Sequence, residues 1–385
     1  MSTLIWNGTV VTAERTFAAG VLIEGDRIAE LRTGIAVGPA AAVIDAAGLY
    51  VMPGGIASRH APGRDHVGRR LRKWYARGGV RRHHYGDRFR HAGERISHAR
   101  RAGPLAEEGR GQGLQTAKNG ALICVHAENG GVIDVIVQCA PAQGKPHAGI
   151  THSRVHREPR PRRSTGHCHR RDRGRAGLYR ARLFRGRAAG GAGGARWGTA
   201  GIRRDVPAIL AALDRGIETA GVRRSQLCAH PCAPGNIRRS FAKLWEGLQS
   251  GHIQVVSTDH CPFRFADRKS LGRDDFTKIP NGGPGIESRL QLVSHHGVAG
   301  CRLNVNRYVE LVATAPARIF RMYPNKGTIA PGSDADIVLW DPEADYTISA
   351  STHQMRVDCS LYEGYRVKGN ARTVILRGEP AAAGI

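Results

Sequence analysis

The chain has 385 residues and carries 58 Lys and Arg against 32 Asp and Glu, so its net charge at neutral pH is +26. Its 8 cysteines occur at irregular spacings, which excludes a small disulfide-stapled scaffold. No apolar run approaches the ~20 residues of a membrane-spanning helix, and the N-terminus lacks the features of a secretory signal, so we expect a cytoplasmic protein without a membrane partner.

The first 52 residues are predicted to form short strands separated by turns. The segment Leu4-Ile5-Trp6 precedes Asn7-Gly8, a dipeptide typical of tight hairpins. Strand-like segments follow at 20–23, 27–31, 43–45 and 50–52. We predict a small β-meander over this part of the chain.

Two arginine-rich segments come next. Residues 57–118 carry a net charge of +11 and residues 151–240 carry +16, so the rest of the chain is nearly neutral. Their apolar residues show no sustained period of 2 or 3.6, and a low hydrophobicity with a high net charge opposes the burial of a core. Residues 151–240 contain 21 Arg and no Lys. We hypothesise that both segments are out-of-frame stretches of a GC-rich gene, which resequencing tests.

A nucleic-acid-binding insert is the competing explanation of this charge. The basic segments lack the aromatic pattern of an RNA-recognition strand, the ligand spacing of a zinc finger and a helical basic stripe. We therefore predict no specific nucleic-acid partner, although non-specific and salt-sensitive adhesion to polyanions is expected.

The middle of the chain contains two strands that end in polar residues. The apolar run at 121–125 leads to His126, and the run at 253–258 leads to Asp259 and His260. Continuous apolar runs are typical of parallel strands that are buried on both faces. Polar side chains at the carboxyl ends of such strands are typical of the active site of a TIM barrel.

The C-terminal part combines a helical segment with further strands. Residues 308–322 are predicted to be helical, and Pro316 is expected to split the helix in two. Strands are predicted at 335–340 and 372–377, after a turn at Pro331-Gly332-Ser333. Because chain termini often lie close together, we expect both β-rich ends to form one small sheet domain.

Four motifs resemble the cyclic amidohydrolases, specifically their D-hydantoinase and dihydropyrimidinase branch. They are Val-His-Ala-Glu-Asn at 125–129, Ser-Thr-Asp-His-Cys-Pro at 257–262, Leu-Gly-Arg-Asp-Asp-Phe-Thr-Lys-Ile-Pro-Asn-Gly-Gly-Pro-Gly-Ile-Glu at 271–287, and Gly-Thr-Ile-Ala-Pro-Gly-Ser-Asp-Ala-Asp-Ile-Val at 327–338. The resemblance extends over residues 1–56, about 112–147 and about 241–380.

The resemblance implies an α/β fold, a (β/α)8 TIM barrel with a small β-sandwich domain formed by both termini. It assigns residues 1–52 and 327–385 to the sandwich and 53–326 to the barrel, which is degraded at about 57–111 and 148–240. It also implies two divalent metal ions, usually zinc, and a small-molecule cyclic amide substrate that opens to an N-carbamoyl amino acid. Proteins of this branch are expected to form homotetramers or homodimers.

Three residues match the family's site. His126 matches a metal ligand on the fifth barrel strand, Asp259 matches the metal ligand that also acts as catalytic base, and Asn281 matches a residue that contacts the substrate ring. Each has a simpler explanation as well. His126 could be a histidine at a strand end, Asp259 a helix N-cap, and Asn281 a turn residue.

The other metal ligands of the family are not recognisable. After the stretch that matches 53–56, the family continues with a strand that carries two histidines two positions apart, whereas His60 and His66 are six positions apart and so are not neighbours on one face of a strand. The family's carboxylated lysine and its sixth-strand histidine have no counterpart in a matching context. The sequence therefore predicts a site with two of its ligands, His126 and Asp259.

Length indicates an incomplete barrel. A barrel of ~250 residues allows ~31 per strand and helix unit, so ~120 residues are expected between the first strand and the fifth. Only 73 positions separate Pro53 from His126. At least one unit is predicted to be missing, which leaves open a non-catalytic homologue that acts through assembly, as in the collapsin-response-mediator branch of the fold.

We predict that limited trypsin digestion cuts first within 57–118 and 151–240. Both segments combine many arginines, after which trypsin cleaves, with little periodic apolar content. Such a segment has little with which to form a packed core, so its arginines are expected to be accessible to the protease. Mass spectrometry of early fragments measures the order of cleavage. Slow and uniform digestion along the whole chain would contradict the prediction.

Overall fold

The computed structural model describes residues 2–33, 41–57, 122–126, 181–185, 202–205, 237–258, 260, 262–272, 278, 280 and 283–383. The chain divides into two units. The first comprises Met1–Arg77, Asp205–His230 and Asn236–Ile385, and the second comprises Gly78–Arg204 and Pro231–Gly235. The predicted domain boundaries at 52/53 and 326/327 stay predictions.

Strands lie at both ends of the chain and at a few places between them. In chain order they are β1 (Ser2–Trp6), β2 (Thr9–Val11), β3 (Thr16–Ala18), β4 (Gly20–Glu24), β5 (Arg27–Arg32), β6 (Ala41–Asp45), β7 (Tyr50–Pro53), β8 (Leu122–His126), β9 (Ala181–Arg185), β10 (Ile202–Asp205), β11 (Val255–Val256), β12 (Ile337–Ile348), β13 (Tyr365–Leu376) and β14 (Glu379–Ala383).

Strands from both termini form two sheets of one sandwich. One sheet has the order β5-β4-β1-β6 and the other has the order β14-β13-β12-β7-β2-β3. The second sheet joins the two ends of the chain, because β12 pairs antiparallel with β7. The strands expected near both termini are therefore present, and the terminal segments share one sheet as predicted.

The predicted β-meander at the N-terminus is wrong. Instead of pairing with each other across Asn7-Gly8, β1 and β2 belong to different sheets, where β1 runs parallel to β6 and β2 runs parallel to β7. Asn7 adopts a left-handed φ of 58°, and the amide of Ala46 donates to the carbonyl of Trp6 at 2.8 Å. The dipeptide is a corner where the chain crosses from one sheet to the other.

An apolar core fills the space between these sheets. The buried side chains come from strands of both sheets, from the N-terminal and C-terminal ends alike, and from the segment before β12. They are Ile5, Val10, Ala19, Val21, Ile23, Ile28, Ala46, Val51, Ile329, Ala335, Ile337, Leu339 and Ile375. Alternation of apolar residues along the strands supplies this core, since neighbouring side chains of a strand point to opposite faces.

The described helices lie between β10 and β12. They are α1 (Ile237–Gln249), α2 (Arg289–Val293), α3 (Val305–Val309) and α4 (Ala315–Ile319), with π-helical turns at Ser294–Ala299 and Glu310–Thr314. None of the described helices is long and apolar enough to cross a membrane.

Pro316 interrupts the expected helix without separating its parts. The segment is helical from Val305 to Ile319, and a π-helical turn precedes Pro316, which lies in the first turn of α4. Proline has no amide hydrogen for the carbonyl of the fourth residue before it, which here is Val312. That carbonyl instead accepts a hydrogen bond from the amide of Ile56 at 2.9 Å.

The second unit contains β8, which the sequence predicted, and β9 and most of β10, which it did not. β8 pairs antiparallel with β9, and β9 pairs antiparallel with β10. The strand that ends at His126 was expected to be a parallel barrel strand, so its direction relative to its neighbour differs from the prediction. A short apolar run does not specify the direction of its partner. Apart from β9, β10 and the start of α1, residues 58–118 and 151–240 lie outside the described residues.

An ion cluster connects the end of the helical segment to the sandwich. The Lys326 ammonium contacts the carboxylates of Asp334, at 2.9 Å, and Asp336. Asp336 also accepts a hydrogen bond from the amide of Arg377 at 2.9 Å. Partial burial by itself lowers the pKa of Lys326, but the hydrogen bonds and charges of both carboxylates outweigh it and raise this pKa above its ordinary value.

We predict that Lys326→Met lowers the free energy of unfolding by about 3 kcal/mol, because it removes the cation that the largely buried carboxylates of Asp334 and Asp336 share and leaves Asp334 with the more distant guanidinium of Arg27, at 3.5 Å. The raised pKa of Lys326 implies a stability contribution that is complete below the ordinary lysine pKa of about 10.4 and is lost as the pH rises through the folded-state pKa. Urea denaturation at neutral and alkaline pH measures both effects.

Lys368→Met is the matched control, because Lys368 pairs with Glu343 in an exposed position. Exposed ion pairs contribute little to stability, so this variant should unfold at nearly the same urea concentration as the parent chain. Equal losses in both variants would contradict the assignment.

Candidate active site

The strand β11 leads directly to the predicted catalytic carboxylate. Val255 and Val256 are buried, and Ser257 and Thr258 continue the buried segment. Asp259 itself lies outside the described residues, but Thr258 and His260 on either side of it are described. In the sequence, Asp259 therefore directly follows a buried segment.

His260 joins the segment around Asp259 to the segment around Asn281. It is 2% exposed and forms an isolated parallel bridge with Gly283. Its Nδ1 accepts hydrogen bonds from the amides of Gly285 at 3.2 Å and Ile286 at 3.4 Å. Because Nδ1 is an acceptor, a neutral His260 ring carries its proton on Nε2. Asn281 lies outside the described residues. Gly283, two positions after it, is paired with His260, which follows Asp259.

Gly283 permits this close approach. A β-carbon at this position would lie 2.9 Å from Cδ1 of Leu361, which is closer than carbon atoms normally pack. Leu361 belongs to the chain between β12 and β13. The loop before α2 is therefore enclosed by His260 on one side and by the C-terminal segment on the other.

A buried lysine connects the chain after β11 to the same loop. Lys269, in a 3-10 turn at Lys269–Gly272, has no exposed surface. Its Nζ donates to the carbonyl of Pro280 at 2.5 Å and lies 5.6 Å from the centroid of the Phe263 ring. Lysine is almost never fully buried without such partners, so this contact is a specific feature of the loop.

The segment between β12 and β13 holds the chain that follows Asp259. The Asp358 carboxylate accepts hydrogen bonds from the amides of Phe265 at 2.6 Å and Ala266 at 3.0 Å. Partial burial by itself raises the pKa of Asp358, but these hydrogen bonds and the charge of Arg264 hold it below its usual value. Asp358 is therefore an ionised backbone anchor.

Glu287 makes an equivalent anchor after Asn281. Its two carboxylate oxygens accept from the amide of Gln354 at 3.0 and 2.8 Å. Burial raises the pKa of Glu287, although the hydrogen bonds and the charge of His353 act in the opposite direction. The segments on both sides of the site are thus tied to one C-terminal segment, residues 349–363.

Arg289 links the two strand ends of the first unit that border the site. It is 3% exposed, and one guanidinium nitrogen donates to the carbonyls of Ile56 at 2.8 Å and Val256 at 3.0 Å. Ile56 follows β7, and Val256 belongs to β11. The guanidinium therefore joins the start of the predicted barrel to its predicted last strand.

The structure describes the predicted site residues unequally. His126 is the last residue of β8 in the second unit, where its backbone is opposite Ala181, and the side chains of Asp259 and Asn281 lie outside the described residues. The roles of all three residues stay predictions.

Sequence reasoning missed Lys269, whose neighbours Asp267 and Arg268 make it resemble a surface lysine. It also missed the backbone anchors Asp358 and Glu287, because loop contacts of this kind have no sequence period.

The donors that are matched from the sequence are too few for a two-metal centre. The matched ligands are one imidazole and one carboxylate, fewer than the three or four protein ligands typical of zinc. The described residues contain no group of three or more His, Cys, Asp or Glu that could hold a metal ion. Within the described part of the chain, the buried hydroxyls of Ser257 and Thr258 beside Asp259 lack hydrogen-bond partners, but zinc binds Cys, His and carboxylate rather than hydroxyl groups.

Comparison with known proteins gives consistent matches. The model of the amidohydrolase family matches residues 207–379. The chain is 35% identical to a D-hydantoinase from Streptomyces coelicolor, over 98% of this chain and 94% of that protein. It is 31% identical to a D-hydantoinase from Ralstonia pickettii, again over 98% and 94%.

Solved structures show the same relationship. The crystal structure of a dihydropyrimidinase from Brevibacillus agri is similar with a TM-score of 0.69 and 26% identity, covering 99% of this chain and 95% of that one. The alignment with the Streptomyces coelicolor protein spans 449 residues, whereas this chain has 385. At least 64 aligned positions therefore have no counterpart here.

We predict that the purified chain retains less than about one zinc ion after dialysis, because two matched donors fall short of a closed zinc site. Elemental analysis of the dialysed protein measures the zinc content. A D-hydantoinase relative treated in parallel controls for metal loss during dialysis. Two equivalents of tightly held zinc in this chain would contradict the prediction.

Proposed function

Because the chain belongs to the amidohydrolase family and to its hydantoinase branch, we propose that its function is the metal-dependent hydrolysis of a cyclic amide. The substrate class is the hydantoins or dihydropyrimidines, and the product is an N-carbamoyl amino acid. We further propose that the chain as written is impaired in this reaction. The observation that carries the proposed substrate site is the pairing of the segments that flank Asp259 and Asn281 through His260 and Gly283.

The proposed roles follow the chemistry of the matched residues. We assign Asp259 as the base that accepts a proton during ring opening, and His126 and Asp259 as metal ligands. Asn281 is assigned to the substrate ring, because its amide can donate to one ring group and accept from another. The described neighbours of Asp259 support its place at a strand end, which is where TIM-barrel enzymes carry their catalytic residues.

The proposed impairment rests on missing length and missing ligands. The shortfall of at least 64 aligned positions agrees with the short distance between Pro53 and His126. Hydrolysis of an unactivated amide at neutral pH needs an activated water, which two divalent metals supply in this family. Two remaining ligands do not provide for such a centre.

Assembly, metal identity and location are proposals of the same kind. We propose zinc as the metal of the intact site, a homotetramer or homodimer as the assembly, and the cytoplasm as the location. The resemblance supports the metal and the assembly, and the N-terminal sequence supports the location.

We predict that the chain as written opens 5-substituted hydantoins no faster than a mock purification. Restoring the reading frame of both basic segments, and any deleted segment, should return metal-dependent activity. In that restored enzyme, Asp259→Asn should lower the rate by about a thousandfold, since removal of a positioned general base typically costs 10²–10⁴-fold. Chromatographic detection of the N-carbamoyl product measures each rate.

Asp267→Asn in the restored enzyme is a suitable control, because Asp267 is an exposed acid in the same stretch of chain. Metal-dependent ring opening by the unrepaired chain, at a rate well above that of the mock purification, would show that the proposed impairment is wrong. An inactive restored enzyme with full metal content would argue against the proposed reaction itself.

A further inference from the structure

The loop that carries Asn281 is held at two described points. Its first point is the carbonyl of Pro280, which accepts from Lys269 Nζ at 2.5 Å. Its second point is Gly283, which bridges His260. Only Asn281 and Gly282 lie between them in the sequence.

Both points are held by the chain that follows β11. His260 comes immediately after Asp259, and Lys269 lies nine positions further along. Pro280 and Gly283 are therefore joined to the chain that follows β11, in addition to the close approach of Leu361 to Gly283. A group that contacts a substrate ring must keep its position relative to the reacting groups, since small displacements reduce catalysis strongly.

Burial of the Lys269 ammonium is costly as a means of stabilising the fold. Removing a charge from water carries a desolvation penalty, and an apolar side chain of similar volume often stabilises such a position equally well or better. The ammonium can donate a hydrogen bond to the Pro280 carbonyl, whereas an apolar side chain cannot. The contact therefore specifies the shape of the loop more than it stabilises the domain.

We propose that Lys269 is a positioning residue that holds the Pro280 carbonyl, and with it the described chain next to Asn281 in the sequence. Together with His260 it defines where the loop meets the end of β11. The inference depends on the proposed function only for the role of Asn281 toward the substrate. The positioning itself is a property of the chain as it exists, whether or not the chain is catalytically active.

Hydrogen exchange measured by mass spectrometry on the full chain tests this proposal. In Lys269→Met, amides in peptides covering 278–288 should exchange at least roughly tenfold faster, because a hydrogen bond from a charged donor is lost. Peptides from β12 and β13 should exchange at the parent rate. Lys269→Arg retains a cationic donor and should restore most of the protection in 278–288.

Arg268→Met is the control, because it removes an exposed cation from the position next to Lys269. It should leave exchange in 278–288 unchanged. Unchanged exchange in Lys269→Met would overturn the proposal. So would equal loss of protection in 278–288 and in β12–β13, or failure of the variant to fold, because either result assigns Lys269 a general structural role. The readout needs no metal and no turnover, so failure of the proposed reaction would not alter it.

Discussion

Backbone pairing between β7 and β12 joins the two ends of the chain and determines where the described part of the site is built. The ladder runs from Ile337 opposite Pro53 to Trp340 opposite Tyr50. It places the chain that leaves β7 where Ile56 can meet Arg289 and Val312. Because the contact joins residues near opposite termini, it carries a large entropic cost of loop closure, which the apolar core of the sandwich offsets.

Charged side chains organise the loops that this framework supports. Lys269, Arg289 and Asp358 each bond to backbone groups rather than to one another. A loop has few apolar side chains that could fix its conformation, so hydrogen bonds of charged side chains fix it instead. This arrangement lies within the first unit of the chain. The motifs of the family at 257–262 and 271–287 thus lie in a segment whose described contacts form a connected network.

The sequence predicted where strands lie but not how they pair. Apolar alternation marked β4, β5, β6 and β7, and the turn residues at Gly25 and Gly332 have the positive φ angles that such turns require. The division of the N-terminal strands between two sheets depends on contacts with distant segments, which local alternation does not contain. The burial of Lys269 was equally hidden, because no sequence pattern distinguishes a buried lysine from a surface one. Pro316 was expected to split the helix in two, but the segment is helical from Val305 to Ile319, with a π-helical turn before the proline.

Pro316 also shows how an absent hydrogen-bond donor can define an interface. The carbonyl of Val312 is available to the amide of Ile56 because residue 316 cannot donate to it. A helix normally satisfies its own backbone groups and offers other segments only side chains, whose identities can change during evolution. A carbonyl made available by proline is a backbone contact instead, and it constrains the partner segment without requiring any particular side chain there. Ile56 could therefore be replaced by many residues and still dock, whereas the proline that permits the contact has no equivalent among the other amino acids.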